Sequence, residues 1–150
     1  MVAVYLDVCC LNRPFDDWMQ ERVRLEGDSV LSILERVRRG EWQLIASEAI
    51  AVELEKMQNL EKKASILDLL GLATGRQEIN AAVEERSRQL EDLGFALFDS
   101  FHVACAEAAG ADIFLSTDDR LLKTARRCGD QLNVKIGNPV VWLIEVLQEQ

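Results

Sequence analysis

The feature of the sequence that most limits its fold is an alternation between short apolar stretches and longer stretches with helical periodicity. The first apolar stretch, Val2–Leu6, is rich in β-branched residues and predicts a strand. The same criteria predict strands at Trp42–Ala46, Ile113–Leu115 and Leu132–Ile136. Strands that are separated by helices pair in parallel through right-handed crossovers. The pattern therefore predicts an α/β sandwich built around a parallel sheet.

The stretches between these strands place apolar residues three and four positions apart, which is typical of helices. The second strand is followed by Ser47, a residue type that commonly caps a helix, so a helix is expected to start there. The other predicted helices are Asp28–Arg39, Glu61–Leu72, Glu78–Leu93, Phe98–Ala109, Asp119–Arg127 and Pro139–Leu147. No repeat or linker interrupts the pattern, so residues 1–150 are predicted to form a single domain.

Composition and segment lengths indicate where such a chain works. Hydrophobic residues make up 49% and charged residues 29% of the sequence, which is ordinary for a globular protein. No apolar run is long enough to cross a bilayer, and the strand-like start lacks the features of a secretion signal. Cys9 and Cys10 are neighbours, whereas Cys105 and Cys128 fall in helical sequence, a spacing that favours reduced thiols. We therefore expect a cytoplasmic protein without membrane association.

Two of the predicted strands end on acidic residues. The first strand is followed directly by Asp7, and the third is followed by "STDD", which ends in Asp118 and Asp119. Ligands of parallel α/β folds bind at the carboxyl edge of the sheet, where these side chains are expected. Helix capping is the alternative explanation for "STDD", but one cap does not need two hydroxyls and two carboxylates. Capping and ligand binding are compatible at this position.

Two further acids occupy helix faces where little water is expected. Glu53 lies within about 60° of the centre of the apolar stripe that contains Ile50. Asp99 begins a helix that is apolar around nearly its whole circumference, although an N-cap role is an alternative for it. His102 is the only histidine, and we expect it to be packed or hydrogen-bonded within this helix. Because a desolvated, unpaired carboxylate is costly, Glu53 and Asp99 both require partners.

Convergence of these internally placed acids would have an obvious physical reason, namely a hard divalent cation. The acids concerned are Asp7, Glu53, Asp99 and Asp118. Mg²⁺ and Mn²⁺ prefer oxygen ligands, whereas Zn²⁺ calls for histidine and cysteine at a ligand spacing that the sequence lacks. Such ions also retain bound water molecules that can be activated.

Three segments of the chain, in their order, resemble the PIN domain family, particularly its small single-domain VapC-like toxins. The segments are "YLDVCCLN", "SEAIAVELEKM" and "FDSFHVACAEAAGADIFLSTDDRLL", and the resemblance extends from Asp7 to the closing "NPVVWLIEVL". It implies a three-layer α/β/α sandwich and an Mg²⁺- or Mn²⁺-dependent ribonuclease. It also implies frequent homodimers and, for the toxin branch, an antitoxin partner.

The resemblance assigns individual residues to the family's site. The expected catalytic acids, in family order, are Asp7, Glu53, Asp99 and Asp118, of which Asp7, Asp99 and Asp118 are the expected metal ligands. Ser116 stands where the family usually has Ser or Thr before the fourth acid. The chain departs from the family at Cys9, where Ser or Asn is common, and a thiol is a weaker hydrogen-bond donor.

Two further residues are predicted to support the site, and other functional classes remain as alternatives. Asn12 is a candidate for the missing hydrogen-bonding role, and Asp119 is an additional or alternative ligand beside Asp118. A dehalogenase-like phosphatase would need a second Asp where the chain has Cys9, and a receiver domain would need paired acids before the first strand. The remaining alternative is a degenerate PIN fold that binds RNA or protein without catalysis.

The net charge of −9 argues against a nucleic-acid partner unless cations are concentrated locally. Arg120, Lys123 and Arg127 share one face of the helix that follows Asp118. A solvated face with cations near a helix C-terminus is the ordinary interpretation. Beside a metal site, however, the same face would receive RNA phosphates, and we predict substrate contacts for Arg120 and Lys123.

Overall fold

The computed structural model describes residues 1–149. A five-stranded sheet, whose strands differ in length, runs through the centre of this part of the chain. The strands are β1 Val2–Leu6, β2 Trp42–Ser47, β3 Gly75–Gln77, β4 Ile113–Leu115 and β5 Lys135–Gly137. Their order across the sheet is β3-β2-β1-β4-β5, and every neighbouring pair is parallel. The predicted α/β fold with a parallel sheet is confirmed.

Eight α-helices lie within residues 1–149, and they cover both faces of the sheet. They are α1 Val8–Asn12, α2 Glu21–Arg38, α3 Glu48–Glu55, α4 Leu60–Leu70, α5 Ala81–Asp92, α6 Leu97–Ala108, α7 Asp119–Cys128 and α8 Pro139–Gln148. Helix α2 packs on α8, whereas α6 packs on α3 and α5. The resulting three-layer α/β/α sandwich is the one that the PIN resemblance implies.

The two central strands are buried along nearly their whole length. Val4, Tyr5 and Leu6 of β1 and Phe114 of β4 have no exposed surface. The rings of Tyr5 and Phe114 stack with their centroids 5.2 Å apart. A parallel sheet that is covered on both faces favours continuous apolar runs of this kind, which is why both strands were predictable.

Several elements differ from the sequence prediction, among them three short ones. The edge strand β3 consists of Gly75, Arg76 and Gln77, which carry no apolar alternation, so it forms through backbone pairing with β2. Helix α1 is too short to show a helical period. The last strand begins at Lys135 instead of Leu132, because only the later residues pair with β4.

Helix α2 begins seven positions before the predicted start at Asp28. Its early turns are polar, and they contain Gly27, which disfavours a helix intrinsically. Gly27 is explained by its neighbour, since a Cβ at this position would lie 2.8 Å from the Trp18 ring. Tertiary packing of the indole therefore accounts for a glycine that local propensity disfavours.

A buried carboxylate ties three parts of the chain together. Glu26 on α2 is 1% exposed and accepts hydrogen bonds from Arg13 Nε at 2.8 Å, Arg22 Nε at 3.2 Å and Asn138 Nδ2 at 2.8 Å. Asn138 also caps α8 through its other side-chain atom. Glu26 thus links α2 to the segment after α1 and to the start of α8.

Two further observations concern the helices and the cysteines. Within residues 1–149, no helix combines the length and the apolar character that crossing a membrane would require. The four cysteines of this part of the chain are all free thiols, and three of them are buried.

Candidate metal centre

The neighbouring strands β1 and β4 bring distant parts of the sequence to one edge of the sheet. Asp7 follows β1 directly, and its backbone N–H donates to Leu115 O at 3.0 Å. Ser116 follows β4, and its backbone N–H donates to Gly137 O at 3.0 Å. Both predicted strand ends therefore lie side by side at the carboxyl edge, as parallel pairing requires.

The Asp7 carboxylate is 5% exposed and is held by several donors. Its Oδ1 accepts the Val8 N–H at 2.8 Å and so caps α1. Its Oδ2 accepts the Ser116 hydroxyl at 3.0 Å and the Cys9 thiol at 3.4 Å. Burial raises the pKa of Asp7; the charge of His102 lowers it and that of Glu53 raises it, and the net shift is upward. The opening strand thus ends on a fixed carboxylate that is short of compensating charge.

Cys9 occupies the position where the PIN family commonly has Ser or Asn, and its thiol does contact the first acid. Besides Asp7, the Cys9 sulfur lies 3.4 Å from Ser116 Oγ and accepts the Thr117 N–H at 3.3 Å. Ser116 Oγ also accepts the Asp118 N–H at 3.1 Å. The departure at position 9 therefore retains a link between the first and the last predicted motifs.

Glu53 is connected to the core by a chain of hydrogen bonds that the backbone of α3 closes into a ring. Its Oε1 lies 3.1 Å from Nε2 of the buried His102, whose Nδ1 lies 2.7 Å from the Tyr5 hydroxyl. The Tyr5 hydroxyl lies 2.6 Å from Ser47 Oγ. Ser47 in turn caps α3, the helix that carries Glu53, by accepting the Ile50 N–H. This ring joins β1, β2, α3 and α6.

Charges within the site perturb the groups of this ring. Burial lowers the pKa of His102, but the bond to Glu53 and the charges of Asp7 and Asp99 outweigh it, and the net shift is upward. Burial also raises the pKa of the Tyr5 phenol well above its usual range, so this hydroxyl stays neutral. His102 was correctly predicted as a hydrogen-bonded helix residue and Ser47 as the cap of α3, whereas the contact of His102 with Glu53 and the bonds of the Tyr5 hydroxyl to His102 and Ser47 were missed.

One group of side chains within residues 1–149 has the geometry to hold a metal ion. Asp7, Glu53 and His102 each offer one ligand atom, and these atoms lie within 4.8 Å of one another. The predicted ligands Asp99 and Asp118 are not members of this group. The structure therefore adds His102, which the sequence analysis had not placed in the site. Both of its ring nitrogens are engaged, by Glu53 and by Tyr5, so it is positioned to orient Glu53.

Asp99 lies in the first turn of α6, one residue further into the helix than predicted. The N-cap position belongs to Ala96, so capping does not explain the carboxylate of Asp99. The side chain is half-buried, and burial together with the negative charges of Asp7 and Asp118 raises the pKa of Asp99 to about 6. The other acids thus affect the pKa of Asp99, although its carboxylate lies outside the group formed by Asp7, Glu53 and His102.

The two acids after β4 have different partners. Asp118 is exposed and caps α7, because its Oδ1 accepts the N–H groups of Arg120 at 2.9 Å and Leu121 at 3.4 Å. Asp119 accepts two hydrogen bonds from Arg22 at 2.7 and 2.8 Å, which lower the pKa of Asp119. The capping role expected for "STDD" falls to Asp118, and Asp119 is engaged by an arginine.

Asn12, at the end of α1, has a different status from the other predicted supporting residues. Its Oδ1 is buried and finds no hydrogen-bond partner within the described residues 1–149. Ser116 bonds to Asp7, whereas no hydrogen bond joins Asn12 to Asp7 in this part of the chain. Its supporting role stays a prediction.

The cations of this acidic chain are mostly neutralised. Ten of the 17 lysines and arginines form an ion pair with a side-chain carboxylate among residues 1–149. The other seven are Arg24, Lys56, Lys63, Arg120, Lys123, Arg126 and Arg127. Four of these seven lie on α7, directly after Asp118. Arg127 donates to Leu93 O at 2.9 Å, so this member of the predicted basic face has a structural partner.

Comparisons with known proteins give matches to solved structures. No model of a known protein family and no curated protein matches the sequence. A chain of the VapBC2 complex from Rickettsia felis, bound to a DNA fragment from its promoter, is 18% identical with a TM-score of 0.56 over 91% of this chain and 98% of that one. PAE2754 from Pyrobaculum aerophilum is 14% identical with a TM-score of 0.52 over 99% of this chain and 91% of that one.

At such low identity, these two likenesses concern the arrangement of the backbone. Both extend over at least nine-tenths of this chain, so they include the sheet as well as the helices that surround Asp7, Glu53 and His102. The parallel strand order and the helices on both faces agree with the architecture that the sequence motifs imply. The chain therefore shares the three-layer α/β/α fold of these two proteins, which is the fold that the PIN resemblance implies.

Proposed function

We propose that residues 1–150 form a single PIN-like domain that cleaves RNA with the help of Mg²⁺ or Mn²⁺. The observation that carries this proposal is the meeting of Asp7, Glu53 and His102, with ligand atoms within 4.8 Å of one another, at the carboxyl edge of the sheet. Asp99 adds a fourth group, whose pKa is raised by burial and by the negative charges of Asp7 and Asp118. A divalent cation would compensate these charges, and their oxygen-rich donor set suits Mg²⁺ and Mn²⁺.

The residues of the site would divide the work as follows. Asp7, fixed by Val8, Ser116 and Cys9, presents a rigid carboxylate to the ion. Glu53 is oriented by His102, and Asp99 and Asp118 complete the acidic site from α6 and the start of α7. When bound, the ion supplies polarisation of the phosphate and activation of a water molecule. No side chain need form a covalent bond with the substrate.

The biological setting belongs to the same proposal. One structural neighbour is a VapBC complex, which supports a type II toxin that pairs with an antitoxin protein and acts in the cytoplasm. The resemblance to VapC-like toxins also leads us to propose a homodimer. Expression of the chain alone in a bacterium should then slow growth, and co-expression of its antitoxin should restore it.

The central test is metal-dependent cleavage of single-stranded RNA. Protein stripped with EDTA should be inactive, and added Mn²⁺ or Mg²⁺ should restore cleavage. An Asp7→Asn protein, purified in parallel, controls for contaminating ribonuclease and should lose cleavage at least about 100-fold, since even indirect support of a ligand is worth 10- to 100-fold. RNA binding without cleavage at any metal concentration would contradict the proposal and favour the non-catalytic module.

Arg120 and Lys123 are expected to contact RNA phosphates, because both are exposed and neither is paired with a carboxylate of residues 1–149. Changing both to Ala should weaken RNA binding and reduce the salt-dependence slope by about 1.4, or about 0.7 per lost phosphate contact with a single strand. Lys135→Ala removes a cation from the opposite end of the sheet and should leave the slope unchanged. If the double variant and the parent had equal salt-dependence slopes, the basic face of α7 would be an ordinary solvated surface without a role in RNA binding.

A further inference from the structure

A second contact between α3 and α6 lies one helical turn away from the Glu53–His102 contact. On α3, Lys56 at the C-cap follows Glu53 by three positions. On α6, Phe98 precedes His102 by four positions, so the two residues share a face of that helix. The Lys56 ammonium lies 4.3 Å from the centre of the Phe98 ring. The Lys56–Phe98 pair is therefore the next contact between the same two helices, roughly 5 Å along their axes from the metal-binding group.

The Lys56–Phe98 contact is more exposed to solvent than the Glu53–His102 contact. The His102 side chain is fully buried and Glu53 is half-buried, whereas Phe98 is 39% exposed. Leu97, beside Phe98 at the start of α6, is also exposed. An aromatic ring thus faces solvent next to Asp99, the acid that follows it in the chain. Exposed apolar residues grouped in this way indicate a binding surface more often than scattered ones do.

The charge of Lys56 rests on the Phe98 ring and is not neutralised by a carboxylate of residues 1–149. It is one of the seven cations without an ion pair to a carboxylate of residues 1–149, in a chain of net charge −9. Four others of the seven lie on α7, which begins beside Asp118. The unpaired cations therefore flank the acids both through α3 and through α7. An aromatic face combined with nearby cations is the usual composition of a surface that binds single-stranded nucleic acid.

From this geometry we infer that the Lys56–Phe98 pair is a nucleotide subsite, in which Phe98 stacks an unpaired RNA base and Lys56 neutralises the adjoining phosphate. The inference rests on the proposed ribonuclease function and adds a requirement for an unpaired base next to the cleaved bond. Stacking on an aromatic ring accepts any base, so this subsite recognises single-stranded RNA without reading its sequence. A base within a duplex is already stacked on its neighbours and cannot use the ring.

Binding without cleavage tests the subsite directly. Full-length protein in EDTA is titrated into a short oligouridylate that carries one 2-aminopurine, whose fluorescence is quenched by stacking. Phe98→Leu keeps an apolar side chain without the ring, and it should weaken binding about tenfold and remove the quenching. Phe98→Trp restores an aromatic face and should preserve both signals. Lys56→Gln should lower the salt slope by about 0.7, while Lys135→Gln should not.

The outcomes separate this inference from the proposed function. Equal affinity and equal quenching for the parent and Phe98→Leu would overturn the subsite even if the parent cuts RNA with Mn²⁺. A parent that neither binds nor cuts RNA would overturn the proposed function itself. If Phe98→Leu changed the oligomeric state of the protein in solution while its RNA affinity stayed the same, the pair would belong to a contact between protein copies. That result would also overturn the subsite.

Discussion

Replacing Asp99 with asparagine should stabilise the metal-free protein at neutral pH and at the same time abolish RNA cleavage. The two effects have one cause, because the carboxylate lies in a half-buried site beside other negative charges. Its charge is costly without metal and necessary with it. Loss of a proposed ligand carboxylate should reduce cleavage at least about 100-fold. A residue that serves the fold alone would not show this opposition between stability and activity.

The sign of the stability change follows from the raised pKa. The pKa of Asp99 is about 6 in the folded chain and about 3.8 without the fold, so ionisation is harder in the folded state. This cost is absent below about pH 4, grows as the pH rises to about 6, and stays constant above it. The full shift corresponds to about 3 kcal/mol, which solvent screening of a half-exposed group reduces to about 1–2 kcal/mol. Asp99→Asn should therefore raise the melting temperature by roughly 3–6 °C at pH 7 and leave it unchanged at pH 4.

Melts with EDTA and with Mn²⁺ complete the test of Asp99. Mn²⁺ should raise the melting temperature of the parent more than that of Asp99→Asn, since an ion stabilises only the state that binds it. Asp28→Asn, an exposed substitution in the middle of α2, is the matched control and should alter neither the melts nor the response to Mn²⁺. Identical metal responses and identical cleavage in the parent and Asp99→Asn would remove Asp99 from the site.

The second large effect concerns stability alone, at Glu26. Glu26→Gln should lower the unfolding free energy by about 3 kcal/mol, because two arginines then lose the buried carboxylate that compensates them. The amide nitrogen of Gln would also face a donor, since Arg13, Arg22 and Asn138 all donate to this group. The expected readout is a fall of roughly 1–2 M in the urea midpoint.

Glu35 on the same helix provides the control for Glu26. It also pairs with two arginines, Arg38 and Arg39, but at the protein surface. Glu35→Gln removes the same charge and should leave the urea midpoint almost unchanged, because exposed ion pairs contribute little. If both variants lost the same stability, burial would not be what makes the Glu26 cluster important.

The sequence revealed the fold wherever burial on both faces shaped the residue pattern. β1 and β4 are apolar throughout because helices cover them on either side, and both were predicted at their observed bounds. β3 could not be recognised, since its Gly-Arg-Gln sequence is dictated by a place at the sheet edge. The start of α2 was missed because its stability comes from Trp18 packing on Gly27 and from the Glu26 cluster, both of which are tertiary contacts.

The candidate site was predictable to a similar extent. Strand ends and helical phase located Asp7 and Glu53, which the structure brings together. The same reasoning left His102 as an isolated histidine, because its contact with Glu53 joins two helices that are distant in sequence. An apolar face around Val103 and Ala106 signals burial of α6, but it does not reveal which polar group the buried imidazole meets. Hydrogen-bond partners across elements are set by packing, and a local period does not encode them.

The pairing of β1 with β4 sets the order in which the site can come into being. Asp7 and Ser116 are hydrogen-bonded although 109 positions separate them in the chain. Closing so long a loop is entropically costly and slow, and during synthesis it must wait until β4 has left the ribosome. Until then Asp7 lacks the hydroxyl that fixes it and has no α7 beside it. A chain proposed to destroy RNA would thus be harmless to the ribosome and the messenger that produce it until most of its length had emerged.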